Sequence, residues 1–185
     1  MITLGYLAAV TKRVKLGVAC VVMPTHNPIF LAKQAATLDH WSKGRLLLGV
    51  GLGSKATESS DEFGVFGVDF AKRGPITDDY IRAMKAIWDQ GLASYDGEFV
   101  KFKDAEMFPR PYQKPNPPIW VGGWTDHAAR RTGRLGDAWV PGWLSPSEMA
   151  RGVGIVRQTA EEAGRDPDAI EIAVEKLTVI AKTRE

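Results

Sequence analysis

Three glycine-bearing stretches hold most of the chemistry this chain could do, and they offer main chain rather than side chains. In "PPIWVGGWTDHAARRTGRLGDAWVP", Pro117 to Pro141, an apolar run breaks on Gly122 and Gly123 and a helix-like stretch follows at once. Thr125 can cap that helix, so the free N–H groups of its first turn face the strand end. Unpaired donors and the helix dipole suit such a terminus to an anion, and Gly122, Gly123, Trp124 and Thr125 read as a phosphate-binding turn. The same residues also fit a tight strand-to-helix turn that binds nothing. The second stretch is "GVGLG", Gly49 to Gly53. Its glycines are spaced G-x-G-x-G and no amphipathic helix opens directly after them, so it is not a dinucleotide fingerprint, and the P-loop lysine is missing too. What remains at Gly51, Leu52 and Gly53 is bare backbone at a strand end, open to a flat ligand, or else a bulge or barrel corner. The third, "GVACVVMP", sets Gly17 and Ala19 in an apolar strand, where small residues make room for a planar ring or serve packing.

Side-chain chemistry is sparse. His26, His40 and His127 are scattered without metal-ligand spacing, and no metal site is expected. Cys20 reads as a small core residue with no base nearby. Ser54, Ser59 and Ser60 lie outside any G-x-S-x-G context. Asp61 and Glu62 suit a solvated loop, and Asp78 and Asp79 the N-terminal turn of a helix, where negative charge complements the dipole. Trp41, Trp88, Trp120 and Trp139 fit core positions, whereas Trp124 and Trp143 follow strand ends and could line a pocket. No self-sufficient catalytic set is legible, so the catalytic residues stay unassigned and a cofactor is expected to carry the reaction.

The elements that must position these residues alternate. Leu4 to Val10 reads as the end of a helix and Val14 to Met23 as a buried strand stopped by Pro24. Asn27 and Pro28 open a helix carrying Leu31, Ala35, Leu38 and Trp41 and ending near Gly44. Arg45 to Val50 is a second buried strand. From Gly51 to about Gly74 only loop chemistry is legible, and Thr77 caps a helix that runs through Trp88. "YDGEFVKF", Tyr95 to Phe102, reads as a hairpin whose Asp-Gly turn needs positive φ. Strands at Ile119–Val121 and Asp137–Val140 flank the helix from Thr125, and Ser145 and Pro146 open another helix ending at Gly164. Ile170 to Glu175 alternates with a strand period. Strand–helix alternation predicts a parallel sheet, and an open doubly wound sheet and a (β/α) barrel both satisfy it.

With 185 residues, 44% of them hydrophobic, the chain is long enough for one domain with a substantial core, and no linker divides it. A net charge of +2 without a Lys/Arg block argues against a nucleic-acid partner. No apolar run reaches the ~20 residues that span a bilayer. The absence of a signal-peptide pattern and the single cysteine make a cytoplasmic protein the expectation.

At these residues the chain resembles the luciferase-like monooxygenases, flavin- and F420-dependent oxidoreductases built on a TIM barrel. The likeness rests on "VKLGVACVVMPTHNPIFLAKQAATLDHWSKGRLLLGVGLG", "FAKRGPITDDYIRAMKAIWDQGLASYDGEFVKF" and "PRPYQKPNPPIWVGGWTDHAARRTGRLGDAWVPGW", in that order. Their wording is closest to the F420-dependent, actinobacterial-type branch. The resemblance implies an α/β fold, a partial (β/α)8 barrel with about five strands matching the family's third to seventh. The first two are then expected before Met1 and the last beyond Glu185. It implies coenzyme F420, with FMN as the alternative. It also implies a bulged strand with a cis peptide at Ala19–Cys20 behind the ring, Gly51, Leu52 and Gly53 beside the ring or its side chain, and Gly122 to Thr125 at the phosphate. The implied chemistry is hydride transfer between the ring and a small organic substrate, or oxygen activation by reduced FMN. Ser54 stands where some F420-dependent members carry a glutamate. A silent incomplete barrel that binds flavin or a partner subunit is the alternative. A phosphate-binding isomerase or aldolase would need a strand-end lysine that is missing. Family habit and open sheet edges imply a homodimer.

Overall fold

Five of the apolar segments pair side by side in the computed structural model, which describes residues 1–54, 59–89 and 91–175. Strands β1 (Leu16–Val22), β2 (Leu46–Gly51), β5 (Ile119–Gly122), β6 (Ala138–Val140) and β7 (Glu171–Ile172) form one parallel sheet in the order β1-β2-β5-β6-β7. Strands β3 (Ala93–Asp96) and β4 (Lys101–Ala105) make a separate antiparallel hairpin. Helices α1 (Ile2–Val10), α2 (Pro28–Ser42), α3 (Ser59–Val65), α4 (Arg73–Trp88), α5 (Asp126–Leu135) and α6 (Pro146–Glu162) supply the crossovers that parallel pairing requires. The result is an arc of a (β/α)8 barrel, with the strand count expected.

Local chemistry sets the helix ends. Asn27 accepts from the backbone N–H of Ile29 and Phe30 at 3.0 Å, and Pro28 occupies the first turn of α2. Lys43 (φ 54°) and Gly44 (φ 77°) turn the chain out of that helix. Ser145 and Glu148 form a reciprocal capping box on α6. Arg45 stitches the end of α1 to the start of β2, donating to the carbonyls of Ala8, Thr11 and Val14.

One face of the sheet is sealed by helices. Leu16, Leu46, Leu48, Val50, Ile119 and Val121 are buried against α2 and α4, which contribute Leu31, Ala35, Ile81, Met84 and Trp88. A second cluster joins Ala129, Trp139, Val156, Ala160 and Ile170. The opposite face is not buried as the apolar runs suggested: Gly17, Ala19 and Cys20 are exposed there, and Leu47 and Trp120 are half-buried. This is the concave side of the arc.

Several sequence expectations change. Trp41 is 69% exposed rather than in the core. The segment taken as a loop carries α3 and a short 3-10 turn, Phe70–Lys72, capped by Asp69. Helix α4 starts at Arg73, so Thr77 lies inside it and donates to the Arg73 carbonyl at 2.8 Å. The hairpin turn closes with a Gly97 N–H to Val100 carbonyl bond, but Gly97 lacks positive φ. It is small because Asp79 and the Tyr95 ring occupy the space its Cβ would need. The last strand is shorter than the alternation implied, with two residues in β7 and an isolated bridge from Glu175 to Gly142.

Candidate functional site

The C-terminal ends of the sheet strands open into one cavity of about 1050 Å³, mostly apolar and continuous with the concave face. A parallel barrel places its ligands at this end of the strands. All nine sequence-predicted positions line the cavity: Ala19, Cys20, Gly51, Leu52, Gly53, Gly122, Gly123, Trp124 and Thr125. The two glycine tips are neighbours because β2 and β5 pair in register, Val50 opposite Val121.

On the floor, β1 breaks register against β2 between Val18 and Val21, and the Ala19–Cys20 peptide within that break is cis. The bulge explains the glycines of β2. A Cβ at Gly49 would strike the Val18 carbonyl oxygen, and one at Gly51 would strike the Cys20 sulfur. These two glycines make room for the neighbouring strand itself rather than directly for a ligand. Cys20 is therefore not a core residue; its side chain stands in the cavity between the β2 and β5 tips. Its thiol pKa is raised, first by desolvation and then by the Glu175 carboxylate.

The Gly122–Gly123 turn is different. Gly123 sits at φ 121°, where a side chain would be strained, and its Cβ would also crowd Ala128. The buried Trp139 donates its indole N–H to the Gly123 carbonyl at 3.0 Å, fixing the turn from the core side. Thr125 caps α5, its hydroxyl accepting from Ala128 at 3.3 Å. Thr125, His127 and Ala128 of this first turn line the cavity.

Sequence reasoning missed the basic wall beside this turn. The start of α4 also lines the cavity through Arg73, Gly74 and Pro75, so two helix N-termini converge on it. The Arg73 guanidinium lies 3.9 Å over the Phe70 ring and donates to the Phe70 carbonyl at 2.8 Å, while its buried Nε has no hydrogen-bond partner among the described residues. Arg131, buried on α5, pairs with Asp78 and donates to the Gly74 carbonyl at 3.2 Å; Arg134 reaches the other Asp78 oxygen at 3.1 Å. Asp78, in the second turn of α4, is thus held between two arginines. Asp79 is buried, accepting from Tyr95 and from the Phe99 and Val100 N–H groups of the hairpin. Asp69 and Pro75 were the local signals for an earlier α4. The Asp78–Arg131 pairing, which joins residues distant in sequence, left none.

Trp124 and Trp143, 58% and 72% exposed, flank the cavity mouth at successive strand ends. Among the described residues no group of His, Cys, Asp and Glu has the arrangement of a metal site, and no helix is long and apolar enough to cross a membrane.

The family model described as luciferase-like monooxygenase matches residues 1–185. The chain belongs to that family. Among curated members, the phthiodiolone/phenolphthiodiolone dimycocerosates ketoreductase of Mycobacterium sp. (strain JLS) is 34% identical over 187 residues, covering 98% of this chain and 48% of the relative. Among solved structures, monooxygenase RslO1 from Streptomyces bottropensis superposes with a TM-score of 0.81 at 28% identity, covering 94% of this chain and 52% of that one. The coenzyme F420 dependent tetrahydromethanopterin reductase from Methanopyrus kandleri superposes with a TM-score of 0.77, also at 28% identity, covering 92% and 52%. The chain spans about half the length of the curated relatives it matches. Within the luciferase-like fold, the described residues correspond to a partial barrel.

Proposed function

We propose that this chain forms the cofactor-binding part of a cytoplasmic F420-dependent oxidoreductase, with FMN as the alternative cofactor, acting on a small organic carbonyl or alcohol. The observation that carries the reading is the convergence of the β1 bulge, the Gly51–Gly53 tip and the Gly122–Thr125 turn on one cavity. The F420-dependent reductase and the ketoreductase among its relatives support the cofactor and the carbonyl class.

The residues present fit such a group. The bare concave surface at Gly17 and Ala19 can lie against a flat ring, since no side chain larger than a methyl projects from these positions. The α5 N-terminus, with the Thr125 cap, and the buried Arg73 Nε, unpartnered among the described residues, suit an anionic tail. When bound, a deazaflavin or flavin supplies hydride acceptance and donation. The chain's own share is to orient the ring on the β1 bulge, fix the anion at two helix N-termini, and exclude water with Leu52, Trp124 and Trp143.

The homodimer belongs to this proposal and has its own support. Helix α1 has no charged residue, and Ile2 (91% exposed), Tyr6, Val10 and the neighbouring Trp41 of α2 form an uncovered apolar face. A silent flavin-binding half-barrel is the second reading, favoured by the openness of the concave face. Titration of the purified protein with F420, followed by its fluorescence, and with FMN in parallel tests the proposal. Saturable binding of either, weakened at least tenfold by Arg73→Ala, is expected. Binding without turnover would select the silent reading, and binding of neither would refute both.

A further inference from the structure

The cavity holds six charged or titratable groups besides Glu175: Cys20, Arg73, Asp78, His127, Arg131 and Arg134. Five of them have evident employment or position. Asp78 is taken up by Arg131 and Arg134. Arg73 and His127 stand at the α4 and α5 N-termini, on the anion side. Glu175 lies elsewhere, beyond the end of β7, the sheet edge opposite β1, and lines the same cavity. Its N–H donates to the Pro141 carbonyl at 3.0 Å, so its backbone is fixed by the β6 loop. Oε2 lies 3.8 Å from where a Cβ of Gly142 would stand, and its charge reaches the Cys20 thiol across the cavity. Among the described residues Glu175 makes no ion pair and no side-chain hydrogen bond, whereas Asp78, the other carboxylate of the cavity, is doubly paired. An unpaired carboxylate at a barrel strand's C-terminal end, in the same cavity as the surface offered to a ring, has the position required of a proton-transfer group.

We infer that Glu175 is the general acid–base of the reaction, taking the hydroxyl proton of an alcohol substrate, or returning it to a ketone, as hydride passes to or from the bound ring. This rests on the oxidoreductase reading above. In the oxidation direction the substrate O–H and C–H bonds break and C=O forms. The hydride and its electron pair go to the oxidised F420 or flavin, the proton goes to Glu175, and from there to water. The reverse sequence protonates the ketone oxygen as the carbon receives hydride. Gly142, lacking a side chain, leaves the carboxylate open to the cavity.

The experiment has two parts. In the cofactor-free protein, the pH dependence of Cys20 alkylation by iodoacetamide is compared between wild type and Glu175→Gln. Removing the negative charge should move the profile to lower pH, and an unchanged profile would overturn the placement of the carboxylate. In the protein loaded with F420, a panel of primary and secondary alcohols and ketones is assayed against pH. Glu175→Gln should lower kcat by about 100-fold or more and abolish the limb that reports the carboxylate, with F420 binding unchanged and partial recovery in Glu175→Asp. A kcat within threefold of wild type, a persisting limb, or no turnover of the panel by loaded wild type would overturn the inference. Failure of wild type to bind F420 or FMN would instead remove the oxidoreductase reading, and the alkylation profile would still decide where Glu175 points.

Discussion

The two glycine tips of the sheet, Gly49–Gly53 on β2 and Gly122–Gly123 on β5, look alike in sequence and sit side by side in space, but they use glycine differently. On β2 the missing side chains are replaced by protein: the Val18 carbonyl fills the place beside Gly49, and the Cys20 sulfur the place beside Gly51. On β5 the glycine is needed for direction, because Gly123 at φ 121° turns the chain into α5, whose first turn lines the cavity. The β2 tip is therefore a packing device that lets a bulged strand present Ala19 and Cys20, and the β5 tip is a donor-bearing turn. Stability should be most sensitive at the first and anion binding at the second.

Gly49→Ala breaks the comparison hardest. Its Cβ meets backbone, which cannot rotate away, so a loss of about 3 kcal/mol or failure to fold is expected in urea denaturation. Gly51→Ala meets a side chain instead and should cost about 2 kcal/mol, an amount within the range of overpacking. Most of that loss should vanish in the Cys20→Ala background, giving a coupling energy of about 1–2 kcal/mol; additive losses would show that Gly51 is glycine for another reason. Thr125→Ala removes a cap at the second tip and should cost about 1 kcal/mol. It should also weaken F420 binding more than Gly51→Ala does in the Cys20→Ala background. Smallest is the effect of pH on Cys20. With its pKa raised by desolvation, the thiol stays protonated at neutral pH, and its alkylation should accelerate only above the ordinary thiol range.

The comparison also shows what the sequence could disclose. Strand and helix alternation, the Asn27 and Ser145 caps and the position of both glycine tips were legible because each rests on local chemistry. The likeness to a known family carried the Ala19–Cys20 cis peptide, which no propensity could have indicated. The reason for Gly49 and Gly51 was not legible, since it lies in a register break on a different strand. The Asp78–Arg131–Arg134 cluster is hidden for a related cause: it is made where α4 meets α5, and neither helix's own sequence names its partner. Trp41 continues the apolar spacing of α2 but lies on the face shared with α1, which nothing among the described residues covers, so spacing alone points it wrongly to the core. Helix α4 begins before the position that Thr77, mimicking a cap, suggests; the Thr77 hydroxyl bonds four residues back inside the helix instead.

The central claim is that the two tips act together on one ligand, the floor behind its ring and the turn at its anionic tail. A crystal structure of the protein soaked with F420 tests this most directly. The account predicts the deazaflavin ring against Ala19–Cys20 and the phosphate within hydrogen-bond distance of the backbone N–H groups that open α5. A ring or phosphate bound elsewhere on the chain, with both tips left in contact only with solvent, would contradict it.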